Sequence, residues 1–416
     1  MSELSGVFKD VEESVAHNPK VLYAVSGEHV IPADRLAADH TVTKHSVVQP
    51  HGTAPTTIAA SAMSAPFSIR IGASECLGQL EQVLLRINAV QGSGGNTALL
   101  GGRVIGSIEW KLHGYSLTGT ACGPDVMQFY VLYNKSEEDM ALLDKACGYN
   151  SDLTGATFTS GTAADMLIDI SGPLAAIKPY IGAMKGAAPL DITIRLNSVA
   201  DCSTTGITWT LSSVEAHLFW TYDPHPETHA QAYEGALTIP FLCPWQSSLF
   251  ALASGIVAKQ RLSCPSGHAA FAILFNNDDS ADINAVADNY SGLTSMALFN
   301  SSGGRILSDT DSVMTAAEHQ WVKARHFGTN TYIMSSATKN WLFYPLGITV
   351  VSADEREGGV IAALKHGAFT GSYALSGGET VSMTSSDANA DGLTVLLFYY
   401  KQLRIRGGYC VGVEDV

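Results

Sequence analysis

Charged side chains are what this chain has least of. Asp, Glu, Lys and Arg together make up 15% of its 416 residues, while hydrophobic residues make up 46%. Ordinary soluble domains carry roughly 25% charged residues. So little charge leaves little material for a solvated surface, and much of the outside is expected to be covered by copies of the same chain or by partners. A monomer with a surface rich in Ser, Thr and Gly is the other reading of the same numbers. The charge that is present is acidic, 24 Lys+Arg against 39 Asp+Glu, for a net charge of −15. No cluster of Lys and Arg able to track a phosphate backbone occurs, which argues against direct, sequence-specific nucleic-acid binding. The acidic surplus favours solubility and discourages non-specific sticking.

Other absences narrow the field further. The seven cysteines (Cys76, Cys122, Cys147, Cys202, Cys243, Cys264 and Cys410) are odd in number and include no C-x-x-C pair. That argues against a disulfide framework and against a zinc site of that type. They read as small, reduced core residues suited to a cytosolic or reducing assembly compartment. Met1-Ser2-Glu3-Leu4 opens the chain with neither a basic segment nor an apolar one, so no secretory signal is expected. No run of 18 apolar residues is present, so no membrane-spanning helix is expected. G-x-S-x-G and H-E-x-x-H are both missing.

Short strands are what the chain has in abundance. Phe67, Ile69 and Ile71 alternate with Ser68 and Arg70, and Val83, Leu85 and Ile87 with Leu84, Arg86 and Asn88. Gly92-Ser93-Gly94-Gly95 then turns the chain and reads as a hairpin tip. Val104–Trp110 and Met127–Tyr133 supply further strands. Leu190–Leu196 alternates cleanly, with Ile192, Ile194 and Leu196 on one face. In Trp209–Asp223 the apolar phase slips: Trp209 and Leu211 share one parity, while Val214, Ala216, Leu218, Trp220 and Tyr222 share the other. A slip at Ser212-Ser213 is what a β-bulge produces where a long strand bends.

Asp223-Pro224-His225-Pro226 breaks the pattern and marks a domain boundary. Beyond it the theme repeats in Ala236–Phe241, Ala270–Phe275, Ser295–Asn300, Thr331–Met334, Leu342–Tyr344, Gly347–Ser352, Thr380–Thr384 and Leu393–Ile405. Both halves close on an aromatic run, Leu218–Asp223 and Leu396–Tyr400, about 180 residues apart. Residues 1–60 differ: Val7, Phe8, Val11 and Val15 suggest a short amphipathic helix over Ser5–His17, followed by polar stretches that read as an extended arm. Helices are also expected at Ser136–Cys147 and Thr315–Arg325. The expected fold is all-β: two tandem eight-stranded jelly rolls, residues 61–224 and 225–416, with short inserted helices and an N-terminal arm over residues 1–60. Trp220 and Phe398 are expected in two separate cores, each worth about 3–5 kcal/mol on replacement by Ala.

Three places resemble the double jelly-roll major capsid proteins of icosahedral DNA viruses, the group of tectivirus-like phages, adenoviruses, virophages, Polinton-like viruses and giant algal viruses. Met166-Leu167-Ile168-Asp169-Ile170-Ser171-Gly172-Pro173-Leu174, running through Tyr180 to Leu190–Leu196, is similar to that family's helical stretch leading into a late strand of the first jelly roll. Trp209–Leu218 resembles the strand that closes it. Val395–Gly408 resembles the final strand, with its aromatics and Leu403-Arg404-Ile405 before a small-residue turn. With Gly371–Gly377, the resemblance is spread in order over residues 60–416. It implies two sandwiches side by side and roughly normal to a particle surface, and three copies closing into a pseudo-hexagonal capsomer of an icosahedral virion shell. It also implies an outward crown from Asn134–Thr162 and Asn276–Arg325. The arm would face inward, toward minor capsid proteins or an internal membrane, and penton proteins would be further partners. The virion would assemble inside the host cell.

Candidate chemistry is weak by comparison, and catalytic, cofactor and metal residues are assigned as none. His225 and His229 flank Glu227, but Pro224 and Pro226 forbid the helix that would align the histidines on a metal, and a polar linker is the plainer reading. Asp387-Ala388-Asn389-Ala390-Asp391-Gly392 opens like a calcium loop, yet Phe398 occupies the twelfth position where a bidentate Glu is needed. That segment and Asn276-Asn277-Asp278-Asp279 read as solvated turns, with a weaker carbonyl-assisted calcium site as the alternative. Glu355-Arg356-Glu357 reads as surface charge rather than a hydrolytic carboxylate pair. Gly92–Gly95 lacks the Lys-Ser/Thr of a phosphate loop. Sequons at Asn134, Asn289 and Asn300 are expected to go unused. Two other functions fit a tandem β-sandwich: a carbohydrate-binding lectin-like protein, and a minor virion spike or vertex protein.

Overall fold

The described residues of the computed structural model are 42–92, 97–99, 101–124, 126–127, 156–158, 161, 163–202, 208–222, 231, 233–248, 253, 255–276, 293–309, 342–346, 373–385 and 393–415. The first half contributes β1 (Val42–Val48), β2 (Thr57–Ile58), β3 (Phe67–Ile71), β4 (Gln79–Gln91), β5 (Thr97–Leu99), β6 (Ile105–Leu112), β7 (Tyr115–Ser116), β8 (Ala156–Phe158), β9 (Ala163–Asp169), β10 (Leu190–Leu196) and β11 (Trp209–Tyr222). The second contributes β12 (Ala236–Gln246), β13 (Val257–Arg261), β14 (Gly267–Asn276), β15 (Leu293–Phe299), β16 (Arg305–Asp309), β17 (Leu342–Pro345), β18 (Tyr373–Leu375), β19 (Thr380–Ser385), β20 (Leu393–Arg406) and β21 (Tyr409–Asp415). Two helical turns, α1 (Leu174–Ile177) and α2 (Val199–Cys202), interrupt the first half.

The pairing order is the same in both halves. Two sheets of the first half run β1-β11-β4-β9 and β3-β10-β6-β7; those of the second run β12-β20-β14-β17 and β13-β19-β15-β16. With each half's eight principal strands counted in chain order, both orders read 1-8-3-6 and 2-7-4-5. Two sheets related by this permutation are a jelly roll. The chain is therefore a double jelly roll. Three smaller strands extend it: β2 pairs with β11 beyond the end of β1, β18 pairs with β14, and β21 folds back on β20, while β5 and β8 pair as a separate ribbon.

Side-chain alternation explains each sheet. On β3 Phe67, Ile69 and Ile71 are buried while Arg70 is exposed. The matching face of β10 brings Ile192 opposite Ile69 on one side and Trp110 on the other. Such cross-strand apolar pairs are the unit of sheet stability. β11 departs from regular pairing where the apolar phase slips: Leu211 faces Ala89 and Ser213 faces Asn88, leaving Ser212 as the extra residue of a bulge. Ser212 Oγ turns to Asn88. Trp209, Leu211, Val214, Ala216 and Leu218 all end buried because the bulge absorbs the odd residue.

One glycine is dictated by its surroundings. Gly172 has φ +51°, and a Cβ there would lie 2.3 Å from Trp110 Cζ2. The Trp110 indole donates to Ile170 O at 2.8 Å, so ring and chain are locked face to face. The same turn is clipped to β4: Asp169, itself buried, accepts from Ser171 N at 2.8 Å and from Gln82 Nε2 at 2.7 Å, and Ser171 Oγ accepts from Val83 N at 2.9 Å. At the other end of the chain Gly407 and Gly408, with φ +62° and +80°, form the tight turn between β20 and β21, a geometry side chains resist.

Several expectations need correction. Residues 42–48, read as part of an extended arm, form β1, paired residue for residue with Val48–Val42 against Ala216–Tyr222 of β11. Met166–Asp169, read as helical, is the second half of β9; within the following stretch only Leu174–Ile177 is α-helical. Of Gly92–Gly95, read as a hairpin tip, only Gly92 is among the described residues; of the strands on either side, β4 pairs with β11 and β9 and β5 with β8. Met127, read as the start of a strand, is helical, and 128–133 lie outside the described residues. Also outside them lie the helices expected at Ser5–His17, Ser136–Cys147 and Thr315–Arg325, and the strands expected at Thr331–Met334 and Gly347–Ser352.

Candidate functional site: the seam and the outer sheet face

Seven consecutive residues of β20, Thr394–Tyr400, are buried. A strand with one face on its own core and one in water alternates; this one is covered on both sides. Beside Tyr399, part of that cover comes from the first half. Cys243 Sγ of the neighbouring β12 lies 3.8 Å from Leu117 O and 3.6 Å from Thr118 O, and 3.5 Å from Tyr399 Oη. Lys401 Nζ sits 5.5 Å from the Tyr399 ring centroid and 3.6 Å from Asp415 Oδ1. Helical turn α1 packs between β4 and β12.

Besides the Cys243 thiol, three further hydrogen bonds cross this seam between residues far apart in the chain. Tyr180 N–H donates to Tyr233 Oη at 2.8 Å. Lys185 N–H donates to Gly408 O at 2.9 Å, at the glycine turn. His113 spans both halves: Nε2 is 2.6 Å from Lys185 O and Nδ1 is 2.9 Å from Cys410 N. A carbonyl only accepts and an amide N–H only donates, so Nε2 carries the imidazole proton and Nδ1 the lone pair. The buried residues of the two halves form one continuous apolar cluster, which includes both Trp220 and Phe398. Both are buried as expected, but their cores merge instead of standing apart.

The cysteines among the described residues are held as thiols by burial. All six among the described residues are free and buried. Burial pushes the thiols of Cys76, Cys122, Cys202 and Cys264 up to about 12 and that of Cys243 up to about 11, so none supplies a thiolate. Glu379 is the one fully buried carboxylate among the described residues. Burial raises it, yet the backbone and side chain of Ser376 (2.6 and 2.8 Å) and the Cys264 thiol (3.2 Å) hold it below its ordinary value. It closes the loop between β18 and β19 onto the end of β13.

Polar chemistry gathers instead on the outer face of the β1-β11-β4-β9 sheet. Arg86 NH1 meets Glu215 Oε1 at 2.6 Å and Arg86 NH2 meets Asp165 Oδ2 at 3.0 Å, with Asn88 Nδ2 on Asp165 Oδ1 at 2.8 Å. The Arg86 hydrogen bond in each case is the main reason both carboxylates titrate below their ordinary values. His217 and His45 extend the row toward the sheet edge. No sequence motif singled these residues out; only the shared parity of neighbouring strands could have grouped them.

The motifs weighed on sequence contribute little here. His225, Glu227, His229, Asn277–Asp279, Glu355–Glu357, Asp387–Gly392, Asn134 and Asn289 lie outside the described residues. Asn300 is described: its Oδ1 accepts from Ser302 N at 3.1 Å and Gly304 N at 2.6 Å, closing the turn between β15 and β16. Among the described residues no group of three or more His, Cys, Asp or Glu converges as metal ligands, and no helix is long and apolar enough to cross a membrane.

Two jelly rolls of one permutation, fused in tandem along a buried seam, are an architecture that solved structures match along nearly the whole chain. A PBCV-1 virus capsid subunit is 12% identical, with 91% of this chain and 98% of that one covered and a TM-score of 0.58. The Faustovirus major capsid protein is 9% identical over 97% of this chain and 98% of its own, with a TM-score of 0.56. A chain of the Sputnik virophage is 9% identical over 91% and 89%, with a TM-score of 0.52. At such identities what is common is the fold, the double jelly roll of viral major capsid proteins. No protein-family model and no curated protein matches the chain.

Proposed function

We propose that this chain is a major capsid protein: a structural subunit with no catalytic turnover that self-associates into trimeric, pseudo-hexagonal capsomers of an icosahedral virion shell. The observation that carries the reading is the repeated 1-8-3-6 and 2-7-4-5 strand order in two sandwiches joined by a buried seam. Two such bodies per chain supply six per trimer, so threefold symmetry alone completes a nearly hexagonal tile. The low share of charged residues, 15%, supports a surface largely covered by neighbours.

In this reading the first jelly roll begins at residue 42, where β1 starts, and the second spans 225–416, with the segment before residue 42 as the arm facing the particle interior. Penton and minor capsid proteins, and an internal membrane reached by the arm, are the further partners. The protein resides in the virion after assembly inside the host cell. Size-exclusion chromatography with light scattering tests this: a species of three times 44.0 kDa, or larger particles, is expected. A monomer at all concentrations that binds glycans would instead point to a lectin.

A further inference from the structure

Two imidazoles converge on the outer side of the β1–β11 edge. In register, His45 faces Phe219 and Val47 faces His217, so His45 and His217 are diagonal neighbours on one face. His45 Nε2 lies 3.0 Å from His217 Nδ1, with ring centroids 5.0 Å apart and planes inclined at 32°. The other nitrogen of His217, Nε2, is 3.2 Å from Glu215 Oε1, and Glu215 is held by Arg86 NH1 at 2.6 Å and Gln49 Nε2 at 3.2 Å. An ionised carboxylate only accepts, so His217 Nε2 carries the proton and Nδ1 presents its lone pair to His45. A carboxylate fixing one ring nitrogen while the other is left free is the arrangement that orients metal-binding histidines.

The spacing suits an ion as well. Two imidazole nitrogens at 2.0–2.1 Å from a tetrahedral zinc stand about 3.3 Å apart, a few tenths of an ångström beyond the observed 3.0 Å. His45 is exposed, so it can shift by that amount, and transfer of its proton from Nε2 to Nδ1 frees the second lone pair. The surrounding ionic groups, Glu215, Asp165 and Arg86, sum to −1 and do not repel a cation.

We propose that His45 and His217 form a two-histidine site for a divalent late transition-metal ion, zinc first among them, with Glu215 positioning His217. No third protein ligand converges there among the described residues, so water completes the coordination. The ion acts as a removable pin between the edge strand β1 and β11. Hard oxygen-seeking ions such as magnesium are not expected there.

Calorimetric titration of the full chain with zinc chloride at neutral pH tests the site. Wild type is expected to bind with an affinity about ten-fold or more above that of His45→Gln and of His217→Gln, and about ten-fold above that of Glu215→Gln. Zinc should slow amide exchange in Val42–Val48 of the wild type only. Equal binding by wild type and both histidine variants would overturn the proposal, as would no zinc-dependent heat. Copper(II) spectra of the wild type give a check free of mutation: two imidazole nitrogens are expected, and one or none would contradict the pair.

Discussion

At the scale of single residues, two positions carry more than their size suggests. Gly172 combines a positive φ with a Cβ direction aimed into the Trp110 ring. Gly172→Ala should therefore cost about 3 kcal/mol in chemical denaturation, from strain and from displacement of the indole; a change below about 1 kcal/mol would show that the ring moves freely. Glu379 acts through its charge. Its folded value lies below the ordinary 4.5, so its ionisation adds stability that is present above 4.5 and lost as the pH falls through the folded value. The stability gap between wild type and Glu379→Gln should be widest near neutrality and close on acidification, read from denaturation midpoints across pH. A gap independent of pH would contradict this. Neither residue stood out in the sequence: the partners of Gly172 and Glu379, Trp110 and Cys264, lie 62 and 115 positions away, and only the fold brings them in.

At the scale of elements, what the sequence revealed follows how each strand is buried. β3 and β10 were legible to the residue because one face is apolar and the other polar. The bulge in β11 was legible as a change of parity. Removing Ser212 keeps Trp209 and Leu211 on the core side, so its deletion should leave a folded protein about 1–2 kcal/mol less stable, the loss being local twist and the Ser212–Asn88 bond. Failure of the deletion variant to fold would mean that the bulge also sets the register with β2. β1 was not legible: Val42-Thr43-Lys44-His45-Ser46-Val47-Val48 is an edge strand without clean alternation, and resembles a polar arm until its partner is seen. β9 is a strand where the resemblance implied a helical stretch, and a short apolar run such as Met166–Ile170, which suits helix and strand alike, offered no check on that implication.

At the scale of the whole molecule, the division into two all-β halves was legible from the repeated strand theme and the proline break after Asp223, but the seam was not. Its bonds join His113 to Cys410 across 297 positions and Cys243 to Leu117 across 126, and nothing in one sequence pairs such residues. Because the buried cluster runs unbroken through that seam, both jelly rolls should unfold in a single cooperative transition. Phe398→Ala, at a fully buried position, should lower that one transition by about 3–5 kcal/mol. Two resolved transitions, only one of them moved by the substitution, would mean that the halves are independent.

In the proposed shell, the same continuity would hold the two sandwiches of a subunit together as one tile. Electron microscopy of the purified protein tests this most directly. The expected image is a threefold particle with six sandwich-sized lobes in a near-hexagonal ring. Isolated two-lobed particles at every concentration, or an assembly without threefold symmetry, would contradict a shell-forming role.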